Sequence, residues 1–237
     1  MGYWYGCYYP PYAANLSPTN PRYRLTRVVA PAPSLALVEL DEVKAMFGIA
    51  DTDTSQDVLL QAQIDSVSAA IDNYCSRTFV RQTYRDQLRN ASHWLKQGSP
   101  IKTRQSPIPT DDTGAPVLAI SENGAALDPA LFEVELGTGE LYRLDSMGNM
   151  GFWCSQLIAV DYDAGFDTIP PDVRIATLEW LNARWMARGR DPAIRSEAVF
   201  DVLTVTYADP SASNADSGVG PPDAVCGLLN PYRVWSM

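Results

Sequence analysis

The feature that most limits the fold is a pair of amphipathic helices separated by a long β-rich stretch. Leu60, Ile64, Val67, Ile71 and Tyr74 recur at spacings of three and four, so one stripe of a helix ending near Cys75 faces a core. Gln61, Asp65, Ser68 and Asp72 line its opposite face, and Thr54 or Ser55 is the expected N-cap. Past Pro170 and Pro171, which a first helical turn tolerates, Val173, Ala176, Thr177, Trp180, Leu181 and Arg184 share a second helical face. Two shorter helices complete the set. One carries Leu40, Val43, Met46 and Phe47 with Asp41 and Glu42 early, and stops at Gly48; the other runs from Asp223 to Leu229.

Between the long helices, Thr78 to Tyr84, Pro116 to Ile120, Phe132 to Leu136, Glu140 to Leu144 and Leu157 to Tyr162 read as strands, with a hairpin-type turn at Asn123-Gly124. Ala198 to Tyr207 is a further strand candidate, and Asp209 to Pro222 reads as a polar loop. The fold class is therefore α+β: about four helices with a small antiparallel β-sheet inserted at about residues 78–165. Residues 1–34 stand apart. Their tyrosines and prolines, with almost no aliphatic periodicity, predict an extended N-terminal arm that orders itself against a partner, a neighbouring subunit or its own domain. The expected division is thus an arm at 1–34 and a domain at 35–237, with a C-terminal tail at about 223–237.

A formal net charge of −10, from 28 acidic and 18 basic side chains, argues against a protein that grips phosphates through its overall field. Arg22, Arg24 and Arg27 form a local basic cluster or a solvated arm. Cys7, Cys75, Cys154 and Cys226 show no C-x-x-C spacing, so free thiols in a reducing cytoplasm are expected, and neither a metal nor a cofactor. No apolar run is long enough to predict a membrane span.

Catalytic residues are not expected. His93 is the only histidine, and no G-x-S-x-G elbow, P-loop or dinucleotide fingerprint accompanies it. Asp51-Thr-Asp-Thr-Ser-Gln-Asp57 begins like a calcium loop but has Gln56 where glycine is needed and Ala62 where glutamate is needed, so helix capping accounts for it better. A small hydrolase working through Asp161 with Asp163, or Asp51 with Asp53, is the reading from another class, and a nucleic-acid-binding regulator is a third.

Leu40-Asp-Glu-Val-Lys44, the spacer Asp51 to Asp57, Leu59-Leu60 leading to Ala69-Ala-Ile-Asp-Asn-Tyr-Cys-Ser-Arg-Thr-Phe79, Val160-Asp-Tyr-Asp-Ala-Gly165, Pro170-Pro-Asp-Val-Arg174 and Leu228-Leu-Asn-Pro-Tyr-Arg233 occur in an order that resembles the head-to-tail connector (adaptor) family of long-tailed bacteriophages. The resemblance spans about residues 37–233; the aromatic arm and the insertion around 90–155 depart from the compact helical members. It implies a structural subunit of the virion neck, assembled in the host cytoplasm. Such a subunit forms a ring, commonly of about twelve copies, between the portal and a tail-completion or stopper protein, and double-stranded DNA passes through without specific binding. Another neck protein, a stopper or tail-terminator, is the closest alternative. It implies chain ends that reach partners: Leu228, Leu229, Tyr232, Arg233 and Trp235 toward the portal, and Trp4, Tyr5, Tyr8, Tyr9 and Tyr12 in the arm toward a subunit, the capsid or the tail.

Overall fold

A computed structural model describes residues 24–89, 98–188, 196–199, 203–206 and 221–234. The chain divides into a β unit, drawn from residues before 34 and from 81–167, and a helical unit, drawn from 34–80 and 168–237.

In the β unit, β1 (Arg24–Ala30), β2 (Gln82–Arg89), β3 (Ile101–Lys102), β4 (Leu118–Glu122), β5 (Ala125–Ala126), β6 (Phe132–Glu135), β7 (Glu140–Arg143) and β8 (Leu157–Ala164) form two sheets. The larger runs β1-β2-β8-β4-β5, the smaller β3-β7-β6, and every pairing is antiparallel. Period-two alternation turns Ile158, Val160, Tyr162 and Ala164 of β8 inward, where they meet Tyr84, Leu88, Ile120, Leu141 and Trp153. The turn at Asn123-Gly124 forms as expected, with both residues at positive φ. β2 starts and ends later than its sequence suggests, because its inward positions are Gln82, Tyr84, Asp86 and Leu88, and two polar residues hide the alternation. The expected arm at 1–34 is not an arm throughout: residues 24–30 form β1 and pair with β2 over their whole length, with a bulge between Val28 and Ala30.

In the helical unit, α1 (Leu40–Phe47), α2 (Asp57–Cys75), α3 (Pro171–Ala187) and α4 (Asp223–Leu229) enclose an apolar core. Leu60, Ile64, Val67 and Ile71 of α2 are fully buried together with Val43, Phe79, Val173, Leu181 and Leu229. The N-cap of α2 is Gln56 rather than Thr54 or Ser55; Asp53 Oδ1 takes the Ser55 N–H at 2.9 Å, so these residues belong to the preceding turn. Gly48 in the left-handed region stops α1, as expected, and Ser76, also left-handed, stops α2. Where a single strand was expected over Ala198 to Tyr207, two strands, β9 (Ser196–Val199), which begins earlier, and β10 (Leu203–Thr206), pair antiparallel.

Candidate functional site

The C-terminal segment is built onto the end of α2. α4 begins after Pro221-Pro222, and Val225 and Leu229, four residues apart, are buried against the rest of the helical unit. Asn230-Pro231-Tyr232 then makes a single 3-10 turn. The Val234 N–H donates to the Cys75 carbonyl at 2.9 Å, satisfying one of the acceptors that a helix C-terminus leaves open. Tyr74 Oη donates to Asn230 Oδ1 at 2.9 Å, and the Arg233 guanidinium lies 5.0 Å from the Tyr74 ring centroid. Tyr232 meets Phe79 edge to face, centroids 5.8 Å apart, and its hydroxyl reaches Asp172 Oδ2 at 3.5 Å, at the start of α3.

Burial raises both phenols above the usual tyrosine range, helped at Tyr232 by the Asp172 carboxylate, so both remain neutral donors. Burial also pushes the Cys75 thiol up to about 12, which makes it an inert filler rather than a nucleophile. Asp72, one turn before, is raised to about 7 by burial, although the Phe79 N–H donating to its Oδ1 at 3.3 Å pulls the other way.

Of the residues singled out for partner contact, Leu228, Tyr232 and Arg233 are half-buried at the surface of this platform, whereas Leu229 is fully buried and serves as its anchor. Trp235 and the arm residues Trp4, Tyr5, Tyr8, Tyr9 and Tyr12 lie outside the described residues, as does His93. Sequence reasoning missed Tyr74, Phe79, Asn230 and Asp172 as the residues that hold Tyr232 and Arg233 in place; the spacing of α2 assigned Tyr74 only to the stripe that faces the core.

The candidates for other chemistry are otherwise engaged. Asp161 forms a two-point pair with Arg85 at 2.5 and 2.8 Å, and Asp163 takes Arg81 at 2.8 Å and the Thr83 hydroxyl at 2.7 Å, so this carboxylate pair is a cross-strand ladder. Among the described residues no group of three or more His, Cys, Asp or Glu could hold a metal ion, and no helix is long and apolar enough to cross a membrane. Arg24 turns inward to pair with Asp86 while Arg27 stays exposed, so these two do not make one basic patch. Cys75 and Cys226 are free, as expected, but Cys154 is disulfide-bonded, which departs from the expectation of free thiols throughout.

Residues 38–111 match the family model described as phage gp6-like head-tail connector protein. No curated protein matches the chain. Among solved structures, a chain from the neck of an empty GTA particle computed with C6 symmetry shares its fold: 13% identity, TM-score 0.54, covering 90% of this chain and 97% of that one. A chain from the virion of a native gene transfer agent particle is similar at 15% identity and TM-score 0.53, with the same coverage.

Proposed function

From the resemblance of residues 38–111 to gp6-like head-tail connector proteins, we propose that the chain is a structural adaptor subunit of a bacteriophage-type particle, forming a ring in the neck between portal and tail. The observation that carries this reading is that the connector match covers α1, α2, β2 and β3, while the likeness to a GTA neck chain extends over nearly the whole of both chains. In this reading the helical unit builds the ring, the β unit is an elaboration whose strands other than β1 are inserted between α2 and α3, and no catalysis is involved.

The C-terminal platform faces the portal. Leu228, Tyr232 and Arg233 make the contact with Trp235 beyond them, and Leu229 fixes the platform from inside. Tyrosine, tryptophan and arginine are the types that carry most binding energy at interfaces, and the cage of Tyr74, Phe79 and Asp172 holds two of them in set positions before binding, which lowers the ordering cost. The opposite side of the ring receives a tail-completion or stopper protein. About twelve copies surround a channel for double-stranded DNA, and the net charge of −10 per copy keeps phosphates from adhering to it.

Electron microscopy of the purified chain mixed with a candidate portal ring tests the proposal. A collar coaxial with the portal, with its copy number counted in end-on averages, is the expected result, and Arg233→Glu with Tyr232→Ala should abolish it while amide exchange over α1 and the first turns of α2 stays unchanged, which shows that the helical unit is still folded. A chain that stays monomeric and ignores the portal would remove the adaptor reading.

A further inference from the structure

The two ends of the helical unit differ in what they leave uncovered. At the platform end the aromatic rings are engaged as described. At the other end, where α1 and α3 finish and α2 begins, Phe47 and Trp185 stack with centroids 4.5 Å apart and planes 8° from parallel. The Arg188 guanidinium lies 3.6 Å from the Trp185 centroid and donates to Gln56 Oε1 at 2.7 Å. Met46, Val58, Leu59 and Met186 each fall within three residues of this cluster and stand exposed, Val58 by 86% and Met186 by 72%. α2 is about 28 Å long at 1.5 Å per residue, so this surface and the platform are separate sites.

Such an apolar surface needs an occupant, and the chain carries one of fitting chemistry. Residues 1–23 contain Trp4 and six tyrosines among four prolines, and a single charged side chain, Arg22. The remainder of the chain holds 17 basic against 28 acidic side chains, a charge of −11, and Asp51 and Asp53 are exposed in the turn that leads into α2. An aromatic and proline-rich segment almost free of charge is what an aromatic surface bearing one arginine binds, and its single charged side chain, Arg22, is opposite in sign to the net charge of the chain it would land on. Extended, 23 residues reach about 75 Å, enough to leave their own subunit.

We infer that the Trp185 end of the helical unit is the docking surface for residues 1–23 of a neighbouring copy. This rests on the ring reading only in needing neighbours. A segment leaving one copy and an aromatic surface on the next are unlike partners, which is the head-to-tail arrangement that closes rings, and it joins copies whose net charges repel.

The test has two parts. First, a labelled synthetic peptide of residues 1–23 is titrated into the full-length chain in which Trp4, Tyr5, Tyr8 and Tyr9 are changed to serine, so that its own segment does not compete. Binding that falls about tenfold or more with V58E and with M186E supports the inference, since both positions are solvent-facing and their changes leave melting intact. No binding, or binding indifferent to both changes, overturns it. Second, a photoreactive phenylalanine analogue replaces Met186 in an equal mixture of 14N- and 15N-labelled chains, alone and with the portal. Crosslinks from one label to residues 1–23 of the other are expected; crosslinks confined to one label place the segment on its own copy and overturn the inference. The peptide assay involves no portal, so failure of portal binding and failure of this docking are separate results.

Discussion

The β unit and the helical unit bury polar groups in opposite ways. In the β unit, Asp86 is 1% exposed and its Oδ2 gathers the Arg24 guanidinium from β1, the Arg104 N–H at 2.9 Å and the Tyr162 hydroxyl at 3.2 Å from β8. Burial and the neighbouring carboxylate hold the Tyr162 phenol well above its ordinary range, so it stays protonated and donates to Asp86 while accepting from the Gln105 N–H at 3.2 Å. One carboxylate thus ties an edge strand, a central strand and a loop to β2. The polar groups inside the helical unit settle accounts closer to home. Thr177 Oγ1 donates to the Val173 carbonyl of its own helix at 2.7 Å, Ser68 Oγ accepts the Leu37 N–H at 3.1 Å, and Lys44 pairs with Asp57 at 2.6 Å across the turn joining α1 to α2. The β unit is specified by a buried carboxylate that gathers partners from three other segments, and the helical unit by an apolar stripe beside which the buried Lys44 pairs with Asp57, 13 positions on.

The hardest blow to this contrast is Asp86→Ala. It leaves a guanidinium and two further donors without their acceptor, and breaking one side of a buried pair costs about 3–5 kcal/mol. Amide exchange followed by mass spectrometry should show β1, β2 and β8 losing protection while α2 keeps it; equal loss in both units would mean that the carboxylate does not act locally. Next comes Gly139→Ala. Gly139 has φ +72, and a Cβ there would lie 2.0 Å from Thr103 Oγ1, while the Thr103 N–H donates to the Gly139 carbonyl at 2.8 Å. Overpacking together with the left-handed backbone predicts a loss of about 2–4 kcal/mol by denaturant titration. The double change Gly139→Ala with Thr103→Ser should still be destabilised, because serine keeps the oxygen.

The same contrast explains what was legible in the sequence. The stripe of Leu60, Ile64, Val67 and Ile71, the proline start of α3 and the bounds of α4 stand in the core as expected, because burial on one face of a helix needs only spacing. β1 was hidden because Arg24 and Thr26 are its inward residues and Arg24 becomes an inside residue only once Asp86, 62 positions away, has come to meet it. The later half of β2 was hidden for the same reason. At the platform, the resemblance pointed to Tyr232 and Arg233, but not to Tyr74 and Phe79 as their supports, because a contact across more than 150 residues leaves no local signature. It also named Leu229 as a contact, where i, i+4 spacing with Val225 turns it into the core.

Asp72 sharpens the comparison from the helical side, where a carboxyl is half-buried and, among the described residues, forms no ion pair. With its folded pKa near 7 and its ordinary value at 3.8, the folded chain holds this proton while the unfolded chain has already released it. Stability from this group is therefore fully present below about pH 4, declines as pH rises toward 7, and is flat above. Asp72→Asn removes the decline and should raise stability at pH 8 by on the order of 2 kcal/mol once screening by water at the open side is allowed for. Melting temperatures from pH 4 to 8 check this; parallel curves for parent and variant would mean that Asp72 ionises freely.

The smallest effect tests where the helical unit ends rather than what it buries. Ser76 closes α2 at φ 54, with its N–H on the Asn73 carbonyl at 3.2 Å and the Arg77 N–H on the Asp72 carbonyl at 3.1 Å. A left-handed residue at this position carries a steric cost for any side chain but none for glycine, and the Ser76 side chain is exposed, so nothing in the packing opposes its removal. Ser76→Gly should accordingly stabilise the chain by about 0.5–1 kcal/mol, less the extra freedom glycine gives the unfolded state. The Cys75 carbonyl that receives Val234 lies next to this turn, so the gain should appear as slower exchange of the Val234 and Arg233 amides as well as a higher melting temperature. A gain in melting temperature without slower exchange there would mean that the platform is not held by the end of α2.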